Sequence, residues 1–305
     1  MMAELIIYGI VLGSIISLGA IGISLIYGIL RFANFAHGDL MTTGAYIALF
    51  LVTGPLAVIG IPDNMFGPFS FGWRMVIAFP FSMLAVSGFA ILLDRILYRK
   101  LRQKGSGRVT LAMSALGASF IIRMIVLIIW GADYRFYKPG ILRPALELPL
   151  GIKIRPDQIL ILIIVSILVI GLHLFLQSTK MGKAMRATSD NMELARLSGI
   201  EIEKIIIWTW GIGGALAAAA GVLYGIDVQL HPGMGWNFLI PLFAASILGS
   251  IGNIYGALIG GLIIGVVQQV STAVLLPTYK PAVAFLIMIV LLLIRPQGIF
   301  GGSRK

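Results

Sequence analysis

Residues 158–177 read QILILIIVSILVIGLHLFLQ, and residues 180–204 read KMGKAMRATSDNMELARLSGIEIEK. The first stretch carries no charge over twenty residues. As a helix rising about 1.5 Å per residue it is long enough to cross the hydrocarbon core of a bilayer. The second stretch is polar and charged, and another apolar run follows it at 205–226. A chain that leaves the bilayer, stays in water for some 25 residues and enters again is a polytopic membrane protein.

Working outward, the same reading finds apolar runs at 5–30, 39–60, 75–95, 109–130, 237–251, 254–276 and 281–294. The 305 residues are 59% hydrophobic and only 11% charged, and the mean hydropathy is +1.00. So few charges cannot cover the surface of a water-soluble protein of this size. The expected fold is an all-α transmembrane helical bundle of about eight or nine spans, in one domain over 1–305. The run 237–251 is short and follows a Pro-Gly-Met-Gly-Trp sequence, so it reads as a short or re-entrant span.

The net charge of +11 is unevenly distributed. Arg95, Arg99, Lys100, Arg102, Lys104 and Arg108 form one cluster; Lys180, Lys183, Arg186, Arg196 and Lys204 form a second; Arg295, Arg304 and Lys305 close the chain. The positive-inside rule places all three in the cytoplasm. With nine crossings the C-terminus is then cytoplasmic and the N-terminus outside. Short juxtamembrane clusters are explained by this topology, so the basic balance points to membrane lipid and not to nucleic acid. The loop 131–157 runs against the rule, with Arg135, Lys138, Arg143, Lys153 and Arg155 on the external side. It is the longest polar connection and reads either as a docking surface or as a solvated loop near headgroups.

Within 180–204, Asp190 and Glu193 fit a capping box, with Asp190 at the N-cap and Glu193 at the third helical position. A helix of roughly two turns would run to about Ser198 and end at Gly199, placed as the residue after the C-cap. A helix this short is marginal in water and needs a surface to pack on. Met192, Leu194, Ala195, Leu197 and Ile200 supply apolar contact, and Arg186, Glu193 and Arg196 supply charges that set register.

Polar residues at membrane depth are the other candidates. In GILRFANFAHGDLMTTGAYIA (28–48), Arg31 ends the first helix, Asn34 and His37 lie in a tight connection, and Asp39 is placed to cap the second helix. Unpaired polar groups there are costly, so Asn34, His37 and Asp39 are expected to brace a helix break beside a path, or to form a hydrogen-bonded turn. Arg123 lies inside a span and must face protein or water. Gln268 and Gln269 are placed to bond across helices, and Asp227 and His231 to shape a vestibule at the outer end of the 205–226 span. Gly9, Gly13 and Ser17 share one helix face, and Gly256/Gly260 and Gly261/Gly265 are GxxxG pairs. Such faces bring helices close, within the chain or to a second subunit.

The chain has no GxxxxGK[ST], no HExxH and no cysteine. No phosphate-binding loop, metal-ligand spacing or catalytic constellation is present in the sequence. Carboxylates are also missing from the middles of the apolar runs, where ion-driven carriers often place one.

Gly182, Ala184, Arg186, Ala187, Asn191, Ala195, Gly199 and Ile200 resemble the ATPase-coupling loop of permeases in ABC importers for branched-chain amino acids. The segment 28–48, GSIGNIYGALIGGLIIG (249–265) and RPQGIFG (295–301) are similar to that family's other diagnostic stretches. The likeness runs over essentially the whole chain and is closest to the LivH-type subunit. It implies a permease of the bacterial or archaeal plasma (inner) membrane, working with a second, LivM-type permease, two ATPases and an external substrate-binding protein. ATP and Mg²⁺ would sit on the ATPases, with no cofactor in this chain. Gly182, Arg186, Asp190, Asn191, Glu193, Ala195, Arg196, Gly199 and Ile200 would form the coupling segment. Related permeases carry other amino acids, amides or urea, and an ion-coupled secondary carrier is the rival reading.

Overall fold

The computed structural model describes residues 2–64, 67–137, 146–148, 152–295 and 297–301. Of the expected features, Lys138, Arg143, Arg304 and Lys305 lie outside the described residues. The chain is a bundle of α1 (Met2–Leu30), α2 (His37–Thr53), α3 (Pro55–Val58), α4 (Trp73–Leu93), α5 (Arg99–Gln103), α6 (Arg108–Trp130), α7 (Pro156–Ser178), α8 (Lys180–Asp190), α9 (Met192–Leu197), α10 (Ile202–Asp227), α11 (Met234–Leu248), α12 (Ile254–Val270) and α13 (Lys280–Ile294). Among the described residues, eight helical stretches are long and apolar enough to cross a membrane, and α11 is a shorter apolar helix. A small antiparallel ribbon, Leu146–Leu148 with Ile152–Ile154, lies between α6 and α7.

The first and sixth expected spans, α1 and α10, form the centre and are the most deeply buried of the long helices; in α13 only Ala284 is fully buried. That order follows from residue size. Gly9 and Gly13 of α1 have no room for a Cβ against Val266 and Leu262 of α12, and Gly265 abuts Gly13. Gly261 abuts Ser17, whose hydroxyl donates to the Leu258 carbonyl at 2.7 Å. Gly256 and Gly260 instead meet Gly249 and Ala245 at the far end of α11. At 100° per residue the two glycine pairs of α12 face directions roughly 140° apart. Both GxxxG faces are therefore used inside the chain, α12 being held between α1 and α11 by close backbone approach.

The bundle has two distinct ends. At one, the Leu30 end of α1, α8, α9, the turn 249–253 and residues 297–301 gather: Arg31 donates to the Ser189 carbonyl, Ser189 to the Gly28 carbonyl, and Ile299 N–H to the Leu248 carbonyl. At the other, Tyr8 donates to the Lys153 carbonyl, Arg155 pairs with Asp227, and Arg135 and Leu230 bridge. The segment 230–248 thus runs from one end to the other, although its helix starts only at Met234 and spans about 22 Å. Trp236 lies inside this helix rather than in the loop expected before it.

The basic cluster after the third span is also helical. The helix continues through a π turn at Asp94–Tyr98 into α5. The extra residue turns Tyr98 inward to stack on Trp210, with centroids 5.0 Å apart, and leaves Asp94 buried to receive Arg102.

Candidate functional site

The polar segment is two helices. Thr179 caps α8, its hydroxyl oxygen accepting from Gly182 N–H at 2.9 Å. A Cβ at Gly182 would meet the backbone of Phe175 and Leu176, so this residue lets α8 fold back tightly on α7. Asp190 is the last residue of α8, not the cap of the next helix. Asn191 is that cap: it takes an extended conformation, and its Oδ1 accepts from Glu193 and Leu194 N–H, both at 3.0 Å. The expected cap was one residue too early because both residue types can cap and only backbone conformation chooses between them.

The end of α9 is as expected. Gly199 has φ +83°, Ile200 N–H reaches the Ala195 carbonyl and Gly199 N–H the Arg196 carbonyl. This is the double bond pattern of a Schellman stop. Ala195 is buried against the chain, and Ile200 is half-buried beside it. Leu197, 86% exposed, and Leu194, 60% exposed, point into water together with Glu193 and Arg196. Arg186 is exposed and donates to Gln177 Oε1 at 3.0 Å. The segment therefore divides into residues buried against the bundle (Gly182, Ala195), exposed residues that shape the ends of α9 (Asn191, Gly199) and charged residues that face outward (Arg186, Asp190, Glu193, Arg196).

This surface is tied to the bundle core. Arg31, with φ +57°, stops α1 and reaches Ser189 at the end of α8. The chain then runs through Phe32, which packs on Tyr98 and Trp210, to a break before α2. His37 begins α2 about eight residues short of the end of α1, its ring against Gly22. The ring is fully buried beside the Gly19 carbonyl without a well-aligned hydrogen bond. Asn34 Oδ1 accepts from Ala36 N–H and Tyr98 hydroxyl, while its Nδ2 has no partner among the described residues. Buried polar groups left this way cost free energy, so surrounding packing holds the break in place. At the same point Gly38 of α2 and Gly235 of α11 meet backbone to backbone, and Gly235 N–H donates to Thr42 hydroxyl at 3.0 Å.

Asp39 does not cap α2 with its side chain. It lies in the first turn, where a negative charge suits the helix dipole, and it receives Arg123 of α6 through Nε at 3.2 Å and Nη2 at 3.1 Å. Ser119 hydroxyl also donates to it. The Arg123 guanidinium covers the Trp236 ring of α11 at 4.3 Å. One ion pair thus joins α2, α6 and α11. Local sequence signals missed this pairing because its partners are 84 residues apart.

Elsewhere, Gln268 Nε2 donates to the Lys280 carbonyl and Gln269 Oε1 accepts from Lys280 Nζ, so both glutamines bond across to α13. His173 bonds Tyr255 hydroxyl at 2.8 Å. Outside the spans, burial holds the His231 imidazole below its usual range and the Tyr137 phenol above it, so both are neutral near neutral pH.

A family model described as a branched-chain amino acid transport system permease component matches residues 5–292. The chain is 36% identical over 297 residues to the high-affinity branched-chain amino acid transport system permease protein BraD of Pseudomonas aeruginosa, covering 96% of this chain and 94% of that protein. It is 33% identical over 307 residues to LivH of Escherichia coli K12, a permease protein of the same description, covering 96% and 93%. Among solved structures, PsaBC from Streptococcus pneumoniae in complex with Fab superposes with a TM-score of 0.50 over 98% of this chain and 93% of that chain, at 13% identity. That likeness is one of fold.

Proposed function

Because the chain belongs to the family of branched-chain amino acid transport permease components, we propose that it is one transmembrane subunit of an ATP-driven importer of branched-chain amino acids. A second permease of the longer LivM type completes the pathway, two ATPases bind ATP and Mg²⁺, and an external binding protein delivers the substrate. The observation that carries the coupling role is the pair Leu194 and Leu197, held out into water by a helix whose other face is anchored in the chain. Two exposed leucines on a well-stopped short helix suit a groove on a partner. The basic residues of 95–108 and 180–204 lie at the same end, which the positive-inside rule assigns to the cytoplasm. The C-terminus is then cytoplasmic and the N-terminus outside.

The mechanism follows from the ties. Closure of the ATPases around ATP pulls on α9 and α8; Arg31 passes the displacement to α1, and α1 to α12, α10 and the break at His37. Outward- and inward-facing arrangements exchange stability only if the ATPases bind them with different affinity. The test is reconstitution with ATPases and binding protein. ATP-dependent uptake of leucine, isoleucine and valine, with amides and urea excluded, is expected. Uptake by the chain without ATPases, driven by an ion gradient, would replace this reading with a secondary carrier.

A further inference from the structure

A cavity of about 680 Å³ opens at the end of the bundle opposite α8 and α9, among α1, α7, α10, α11, α12 and α13. Its size falls within the range of small-molecule sites. We propose that it is a transient site for a zwitterionic amino acid with an apolar side chain, the substrate's carboxylate on Lys280 and its ammonium on Asp227 and the Asn237 carbonyl. This rests on the importer reading and adds where, within this chain, the substrate pauses.

The charges in the cavity are unbalanced. Arg155 and Lys280 bring two cations and Asp227 one anion. Arg155 and Gln158 both engage Asp227 through Oδ1, and Oδ2 accepts no hydrogen bond among the described residues. Lys280 Nζ is held at 2.7 Å by the neutral Gln269 Oε1, with no carboxylate in ion-pair reach among the described residues. A cation positioned by an amide is ready to take a carboxylate. Gln268 fixes it further by donating to the Lys280 carbonyl at 2.8 Å.

Pro241 supplies the second half. A proline inside a helix has no N–H to give the carbonyl four residues before it. In α11 that carbonyl belongs to Asn237, and both residues line the cavity. A backbone acceptor left without its helical donor and a carboxylate oxygen without a hydrogen bond, both lining one cavity, suit an ammonium group. Beside polar Tyr8 and Thr278, the wall holds an apolar patch of Leu12, Val228 and Phe238, with the Tyr224 ring edge-on to Phe238 at 4.5 Å. A cation, an anion with an open acceptor, and an apolar patch match the three parts of a leucine-like molecule.

A zwitterionic lipid headgroup shares this chemistry, so the test separates the two. The chain has no cysteine, so Asn237→Cys gives it a single thiol in the cavity. The assembled importer is placed in phosphatidylcholine bilayers, and the modification rate of that thiol by a water-soluble reagent is measured. Leucine is expected to slow modification several-fold, and isovalerate or isoamylamine, each lacking one charge, much less. Lys280→Met should raise the leucine concentration for half-protection roughly tenfold or more, and Lys280→Arg should restore it. An unchanged rate with leucine overturns the proposal, as does protection by added phosphatidylethanolamine or phosphatidylglycerol but not by leucine. ATP-driven leucine uptake is followed in the same vesicles. Uptake without protection removes the cavity proposal alone; protection without uptake upholds the cavity and removes the importer reading.

Discussion

Asp39 and Arg123 show how single residues hold this bundle. Each would be costly alone in a low-dielectric interior, and each is paired at about hydrogen-bond distance with Ser119 between them. Asp39→Asn leaves the guanidinium buried without its counter-charge and should cost about 3–5 kcal/mol. Removing both charges, as in Asp39→Leu with Arg123→Met, should cost much less. Thermal unfolding of the purified variants checks this; equal losses in single and double variants would mean the pair is not coupled. Gly199 is the other decisive position. Its φ of +83° admits an L side chain only at about 1–2 kcal/mol, and proline not at all. Gly199→Ala should weaken coupling, and Gly199→Pro should abolish uptake and ATPase stimulation with the chain still inserted in the membrane. Normal uptake by Gly199→Pro would reject the placement of the α9 stop. Gly199 was legible because a short amphipathic run needs a stop and glycine marks one. Asp39's partner was not, since an ion pair between distant spans leaves no periodic or local trace.

At the scale of elements, α9 has a seated face and a free face, and the two predict different phenotypes. Leu197→Glu changes a side chain that touches almost nothing in this chain. It should leave melting unchanged within about 0.5 kcal/mol while abolishing ATP-driven uptake. Ala195→Arg, on the seated face, should instead unfold α9 locally and lose coupling together with protease resistance of the segment 180–204. If Leu197→Glu transports normally, the free face has no partner. The helix α12 makes the opposite case, with no free glycine face at all. Gly261→Leu would drive a side chain into Ser17 and the backbone around it. Overpacking there should cost about 1–3 kcal/mol or more and reduce the yield of folded protein. The spans themselves were readable because a bilayer demands length and apolarity of each one separately. The π turn at Asp94–Tyr98 and the early start of α11 were not, because tertiary contacts set them: Tyr98 on Trp210 in one case, Gly235 against Gly38 in the other.

For the whole molecule, the two ends differ in what they present. The end that carries Leu194 and Leu197 also carries the basic residues of 95–108 and 180–204 and the Arg31 tie, and the other end carries the charged cavity. Between them lie the small-residue contacts of α1, α10 and α12, which on the proposed function would transmit displacement with little slack because packed interiors deform poorly. On the proposed function, α8 and α9 take work from an ATPase. The direct measurement uses the absence of native cysteine: Leu197→Cys in the assembled importer, followed by site-directed cross-linking and thiol labelling through the ATP cycle. A cross-link to the ATPase subunit is expected, with protection of the thiol that changes between nucleotide states. A thiol that stays fully reactive in every state, with no cross-link formed, would contradict it.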